Sequence, residues 1–182
     1  MIRTRVGYAG GTTPDPTYRQ MADHTECLEI DFDPEVIGFE DIVQHFWSSH
    51  NPNRGNYKGR QYLSILLFHD AEQKEMIERV KDSLEKSMED KIETEIASYR
   101  GFTLAEERHQ KYYLKRYPKA MDRLMSYYGT HEQLVNATLV ARLNSFVKGY
   151  GTLADLKEEM AGWNLSGEAR GELVELIDGI RW

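Results

Sequence analysis

Cysteine is nearly absent, since the 182-residue chain holds only Cys27. That excludes an internal disulfide and any thiol relay within the chain. Positive charge is in deficit: 23 Lys and Arg stand against 30 Asp and Glu, a net charge of −7. Nonspecific affinity for nucleic acid or an anionic membrane is thereby excluded. No apolar run approaches a membrane span and no signal-peptide pattern opens the chain, so the expected compartment is the cytoplasm. The six histidines fall at no metal-ligand spacing. Phosphate loops, dinucleotide fingerprints, internal repeats and low-complexity tracts are all missing. What remains, 40% hydrophobic and 29% charged residues, suits one domain with a real core, or a domain plus an appendage.

Glu26 is the first residue to suggest chemistry. The stretch His24-Thr25-Glu26-Cys27-Leu28-Glu29-Ile30-Asp31-Phe32 alternates as a half-buried strand does. Leu28, Ile30 and Phe32 share one face, and the period of two puts Glu26 with them. A carboxyl on an apolar face must find partners or keep its proton, the setting of a general acid. The structural alternative is that Glu26 begins the strand and reaches solvent. Cys27 has the opposite parity, that of Glu29 and Asp31. Anions on its own face would raise the thiol's pKa and make it a poor nucleophile.

The rest of the chain reads as follows. Residues 2–6 form a short strand, and residues 7–18 a loop with three glycines and two prolines. Phe39, Ile42, Val43, Phe46 and Trp47 mark one face of a helix. Residues 51–60 are a second turn-rich loop. An apolar strand over 62–69, central in a sheet, precedes a helix over 71–88 with Asp70 as N-cap and Gln73 completing a capping box. Residues 92–98 alternate as an outer strand. From Thr103 or Leu104 onward the pattern is helical, with Pro118 ending the first helix. Amphipathic segments follow over 121–128, 131–148, 152–161 and 166–180. The order predicts an α+β fold, a small mixed sheet flanked by helices, carrying an all-helical extension. The expected division is 1–118 and 119–182.

Tyrosines decorate the two loops: Tyr8 and Tyr18 on the first, Tyr57 and Tyr62 in or just after the second. Singly each reads as structural. Together with Glu26 they suggest hydroxyl donors around one carboxyl, suited to a strongly accepting neutral oxygen such as a sulfoxide. At this point the motifs resemble a family. Val6-Gly7-Tyr8-Ala9-Gly10-Gly11-Thr12-Thr13-Pro14-Asp15-Pro16-Thr17-Tyr18, His24-Thr25-Glu26, Phe46-Trp47 with His50-Asn51-Pro52, Gly59-Arg60-Gln61-Tyr62-Leu63-Ser64 and Ala105-Glu106-Glu107-Arg108-His109-Gln110-Lys111-Tyr112 are similar, in order, to the signature stretches of A-type peptide methionine sulfoxide reductases.

The resemblance implies that family's ferredoxin-like sandwich and its reaction: thiol-dependent reduction of the S-epimer of methionine sulfoxide in proteins, with thioredoxin as final reductant. It implies Glu26 as proton donor, Tyr18 and Tyr62 as oxygen-binding hydroxyls, and Tyr57 and Tyr112 as further substrate-binding positions. At Tyr57 the family has an aspartate. No cofactor or metal is implied. The family's nucleophile lies in a Gly-Cys-Phe-Trp motif on a first strand and helix upstream of the Val-Gly-Tyr loop, and this sequence opens at Met1 directly before that loop. Its resolving cysteines are likewise not matched. Without a thiolate beside the proton donor, the chain as it stands is expected to be inactive. Three readings follow: a reductase whose first strand and helix lie outside this sequence, a shortened relative that binds sulfoxide peptides, or an interaction module whose helical extension is the working part.

Overall fold

Arg3–Ala9 and Thr25–Asp31 form two strands, β1 and β2, in the computed structural model, which describes residues 2–53 and 59–182. The chain divides into two units: Val6–Glu106, and Glu107–Trp182 together with Ile2–Arg5.

In the first unit, helix α1 (Phe39–Ser48) starts at Gly38, whose amide donates to the Asp41 carboxylate at 3.2 Å. A 3-10 turn, Gly59–Tyr62, leads into β3 (Ile65–Phe68). Helix α2 (Ala71–Met88) begins at Asp70, which accepts from the Gln73 amide at 2.8 Å. The expected capping box is shifted by one residue, because the Gln73 side chain takes the His69 amide instead, at 3.0 Å. Then come β4 (Glu95–Ser98) and β5 (Phe102–Leu104).

The strands form two sheets. One has the order β2-β1-β5, and the other pairs β3 with β4 in parallel, Ile65 opposite Glu95 through Phe68 opposite Ser98. Parallel neighbours need a crossover, which α2 supplies. Val43 and Trp47 of α1, Ile77 and Val80 of α2, and Ile92 bury together over this small sheet, with Leu66, Phe68 and Ile96 against them. The Trp47 indole donates to Thr94 Oγ1 at 2.9 Å, so its one polar atom is satisfied inside. Gly7 pairs with Leu104 across β1 and β5, and a Cβ there would stand 2.3 Å from the Thr103 carbonyl oxygen. Only glycine permits that approach.

The α+β class stands, with differences in detail. β3 is shorter than 62–69 and, in a two-stranded sheet, is not central, because residues 59–62 wind into the 3-10 turn. The helix expected from Thr103 is absent. Residues 102–104 pair with β1, a strand too short to show alternation. Lys111 then takes a φ of 50°, which no α-helix accommodates.

The second unit is helical: α3 (Pro118–Tyr128), α4 (His131–Asn136), α5 (Thr138–Val147), α6 (Leu153–Ala161) and α7 (Gly167–Asp178). Pro118 opens α3 rather than ending a helix, because the first turn has no use for its missing N–H. Residues 131–148 break at Ala137, whose ψ of 132° is extended. Leu134, Val135, Leu139, Val140 and Leu143 are all buried. On one straight helix they would spread over roughly two thirds of the circumference, wider than a single apolar stripe, so the break lets every one face the core. Thr130, Thr152 and Ser166 cap α4, α6 and α7 by accepting from Gln133, Asp155 and Ala169 amides.

Lys111 is buried in this unit, its ammonium donating to the Thr4 carbonyl at 2.7 Å and the Thr4 hydroxyl at 3.2 Å. Burial, with the Arg5 charge second, lowers its pKa from 10.5 to about 8. The unfolded chain therefore holds this proton over a range where the folded chain has lost it. Stability should rise with pH from about 8 to 10.5 on this account. Urea denaturation at several pH values should show wild type gaining on Lys111→Met across that window, by roughly 2 kcal/mol. Parallel pH curves for the two proteins would refute the assignment.

Candidate active site

The glycine loop after β1 is tied down by polar contacts to the residues before β2. The Thr12 amide and hydroxyl and the Thr13 amide donate to the Asp23 carboxylate at 2.7, 2.8 and 3.0 Å. A hydrogen bond from the Thr13 side chain above all, and then these three, hold the Asp23 carboxyl far below the usual carboxylate range. The Gly11 amide donates to His24 Nδ1 at 3.3 Å, so Nε2 carries the ring proton and gives it to the Thr13 carbonyl at 2.8 Å. A Cβ on Gly11 would come within 2.7 Å of the His24 ring, and the loop closes because it has none.

This fixed loop presents Tyr18 beside Tyr62 and Glu26. Gln61 Nε2 donates to Glu26 Oε1 at 2.6 Å and reaches the Tyr62 hydroxyl at 3.2 Å. A hydrogen bond to Tyr18, then burial and the Glu26 charge, raise the Tyr62 phenol above its ordinary pKa. Its proton is thus retained for donation. Three of the expected residues, Tyr18, Glu26 and Tyr62, meet on one face, brought there by the loop, by β2 and by the 3-10 turn. Chemically the group can surround an accepting oxygen with two phenols and a carboxyl.

The burial of Glu26 is corrected. The Glu26 side of β2 is open: Glu26 is exposed, and Leu28 on the same face is 56% exposed. The covered side begins with Thr25, 1% exposed, whose hydroxyl donates to the Arg60 carbonyl at 2.9 Å. Alternation of apolar residues misleads here, because the tight contact of Thr25 with the 3-10 turn decides which side of the strand is covered.

Cys27 lies on that covered side. Burial above all pushes its thiol up to about 11, with the Ala9 amide and Arg60 pulling the other way and Glu26 adding a smaller push upward. The expected direction holds, but the cause is desolvation rather than Glu29 and Asp31. Tyr57 lies outside the described residues. Tyr112 belongs to the second unit, where it is exposed, packs edge-on to Tyr113 and lies under the Arg116 guanidinium.

Three participants escaped sequence reasoning. Glu106 accepts from the buried Tyr8 hydroxyl at 2.5 Å and from the Tyr18 amide at 3.2 Å, fixing the backbone that carries Tyr18. Gln61 adjoins Tyr62, and that adjacency is the available signal; Arg60 offers none, because its partners are distant in sequence. Nothing near Glu106 in sequence points to Tyr8. At pH 8 a thiol titrating near 11 is only about 0.1% ionised. Iodoacetamide should therefore label Cys27 about a hundredfold more slowly in the folded chain than in urea. Equal labelling rates would contradict its placement.

A family model described as peptide methionine sulfoxide reductase matches residues 1–139, beyond both the division at Glu106 and the expected one at 118. A peptide methionine sulfoxide reductase of Drosophila melanogaster is 41% identical over 161 residues, 87% of this chain and 64% of that protein. Peptide methionine sulfoxide reductase A5 of Oryza sativa subsp. japonica is 34% identical over 151 residues, 80% of this chain and 59% of its own length. The chain thus spans less than two thirds of either relative. Among solved structures, Mxr1 from Saccharomyces cerevisiae in reduced form aligns with a TM-score of 0.57 at 29% identity, covering 64% of this chain and 71% of that one. Methionine sulfoxide reductase A of Corynebacterium diphtheriae aligns with a TM-score of 0.53 at 30% identity, covering 64% of each.

Proposed function

The chain belongs to the peptide methionine sulfoxide reductase family, and from that premise we propose that its Tyr18–Glu26–Tyr62 face receives the oxygen of a methionine sulfoxide side chain in a peptide. The observation that carries this reading is the 2.6 Å bond from Gln61 to Glu26, with the Tyr62 hydroxyl in the same cluster. A sulfoxide oxygen carries substantial negative charge and accepts strongly, so the phenols of Tyr18 and Tyr62 are its natural donors. Glu26, exposed and charged in the free chain, serves as acid once the docked sulfoxide peptide covers it and the carboxyl takes up a proton. As a thiolate attacks the sulfoxide sulfur, the S–O bond order falls and the oxygen takes the carboxyl's proton. A second thiol then completes the two-electron reduction, giving thioether, disulfide and water. Thioredoxin is the proposed thiol donor for that last step.

Cys27 does not supply the nucleophile. Its sulfur lies on the covered side of β2 and its proton stays on to about 11, while Glu26 is on the open side. In these 182 residues, therefore, the face binds the sulfoxide but does not turn it over, and the attacking thiolate comes from outside them. We place this work on peptides in the cytoplasm; among the described residues no helix is long and apolar enough to cross a membrane.

Titration of the 182-residue polypeptide with a blocked peptide containing methionine (S)-sulfoxide should show saturable binding. Tyr18→Phe, Tyr62→Phe and Glu26→Gln should each weaken it about fivefold, the worth of one hydrogen bond of about 1 kcal/mol. Dithiothreitol should support no turnover. Binding indifferent to all three substitutions would refute the site, and turnover abolished by Cys27→Ser would refute the account of the thiol.

A further inference from the structure

Arg60 is richly connected beside the site, and its side-chain hydrogen bonds run to Asp23, Gly10 and Glu95 rather than to Glu26 or Tyr62. Its Nη1 and Nη2 grip both oxygens of Glu95 on β4, each at 2.8 Å. Nε donates to the Asp23 carbonyl at 2.6 Å, and Nη2 also reaches the Gly10 carbonyl at 3.1 Å. Its own carbonyl accepts from the Thr25 hydroxyl at 2.9 Å. Four segments therefore converge on one residue: the glycine loop, the start of β2, the 3-10 turn and β4.

The next two residues along the turn are Gln61 and Tyr62, and one residue beyond Thr25 is Glu26. The 2.6 Å bond between Gln61 and Glu26 thus spans two segments that Arg60 joins. Guanidinium geometry matters. A planar fork can hold a carboxylate with Nη1 and Nη2 while Nε and the second Nη2 hydrogen face the Asp23 and Gly10 carbonyls, which a single ammonium cannot do. Gly10 shows how closely the loop is seated: at a φ of 80°, a Cβ there would lie 2.9 Å from the Ile65 side chain and 3.7 Å from Nη2. The Arg60–Glu95 pair is about one-third exposed on each side, so its contribution is geometric more than energetic.

We propose that Arg60, held by Glu95, is the positioning residue of this site: it sets the distance between the Gln61–Tyr62 turn and Glu26, and so the affinity for the sulfoxide oxygen. The role rests on the sulfoxide-binding reading, but the geometric part can be measured without ligand.

Three variants and two readouts test it. Affinity for the blocked (S)-sulfoxide peptide should fall tenfold or more in Arg60→Ala, less in Arg60→Lys, and least in Glu95→Gln, where both carbonyl contacts survive. Hydrogen exchange of the Gln61 side-chain amide, followed by NMR without peptide, should speed up in the same order, while the Trp47 indole proton stays protected. If wild type binds and Arg60→Ala binds equally well, the positioning role is overturned. If wild type does not bind, the sulfoxide reading fails by itself; Gln61 exchange then decides, with unchanged exchange in Arg60→Ala overturning the role and faster exchange upholding its geometric part. Should Arg60→Ala fail to fold, the order of Arg60→Lys and Glu95→Gln decides on the same terms.

Discussion

The Arg60 guanidinium ties the loop and strand start of the β2-β1-β5 sheet to β4 of the other sheet. One fork reaches the Glu95 carboxylate on β4, and the remaining donors reach the Asp23 and Gly10 carbonyls. Loops seldom carry enough apolar surface to pin themselves, so polar contacts must do it. Here those contacts begin at Arg60 and continue through Asp23 and His24, which hold the glycine loop from the other side. Polar contacts of this kind, those of Glu106 with Tyr8 and Tyr18 among them, hold the segments that carry Tyr18, Glu26 and Tyr62.

The core does a separate job. Val43, Trp47, Ile77 and Val80 cement α1 and α2 over β3 and β4. A polar chain runs through its edge, from the Phe46 carbonyl to His50, Ser64, Thr94 and the Trp47 indole, with each link between 2.7 and 2.9 Å. Groups that would be costly to bury alone are satisfied in sequence along it. The second unit has its own core, centred on Leu124, Leu134, Leu143, Met160 and Ile177, and three of its helices, α4, α6 and α7, are capped by side chains at their starts.

Much of this was legible in the amino-acid order, for specific reasons. Helix α2 was readable because Asp70 signals its start and the apolar period is long; the helix runs over Ala71–Met88, as expected. The Thr152 and Ser166 starts were readable for the same reason. β5 was not, because three residues cannot display a period, and neither was the break at Ala137, because amphipathic pattern alone does not reveal that both flanking turns must bury. In the site, Tyr18, Glu26 and Tyr62 could be named from their motifs. Gln61 could be suspected from its neighbour, while Glu106 and Arg60 could not be assigned work, since their partners lie 88 to 98 and 35 to 50 residues away.

By itself, then, the amino-acid order determined the family, the α+β class, the candidate residues Tyr18, Glu26 and Tyr62, and a lone thiol ill-suited to attack. These depend on residue identity and short-range spacing, which need no three-dimensional context. Only the tertiary structure decided which side of β2 is covered, and it chose against the apolar alternation: Thr25 and Cys27 turn inward while Glu26 and Leu28 face out. The reason is that a strand's parity states which residues share a face, but packing against another segment, here the Arg60 turn, selects the face that is buried.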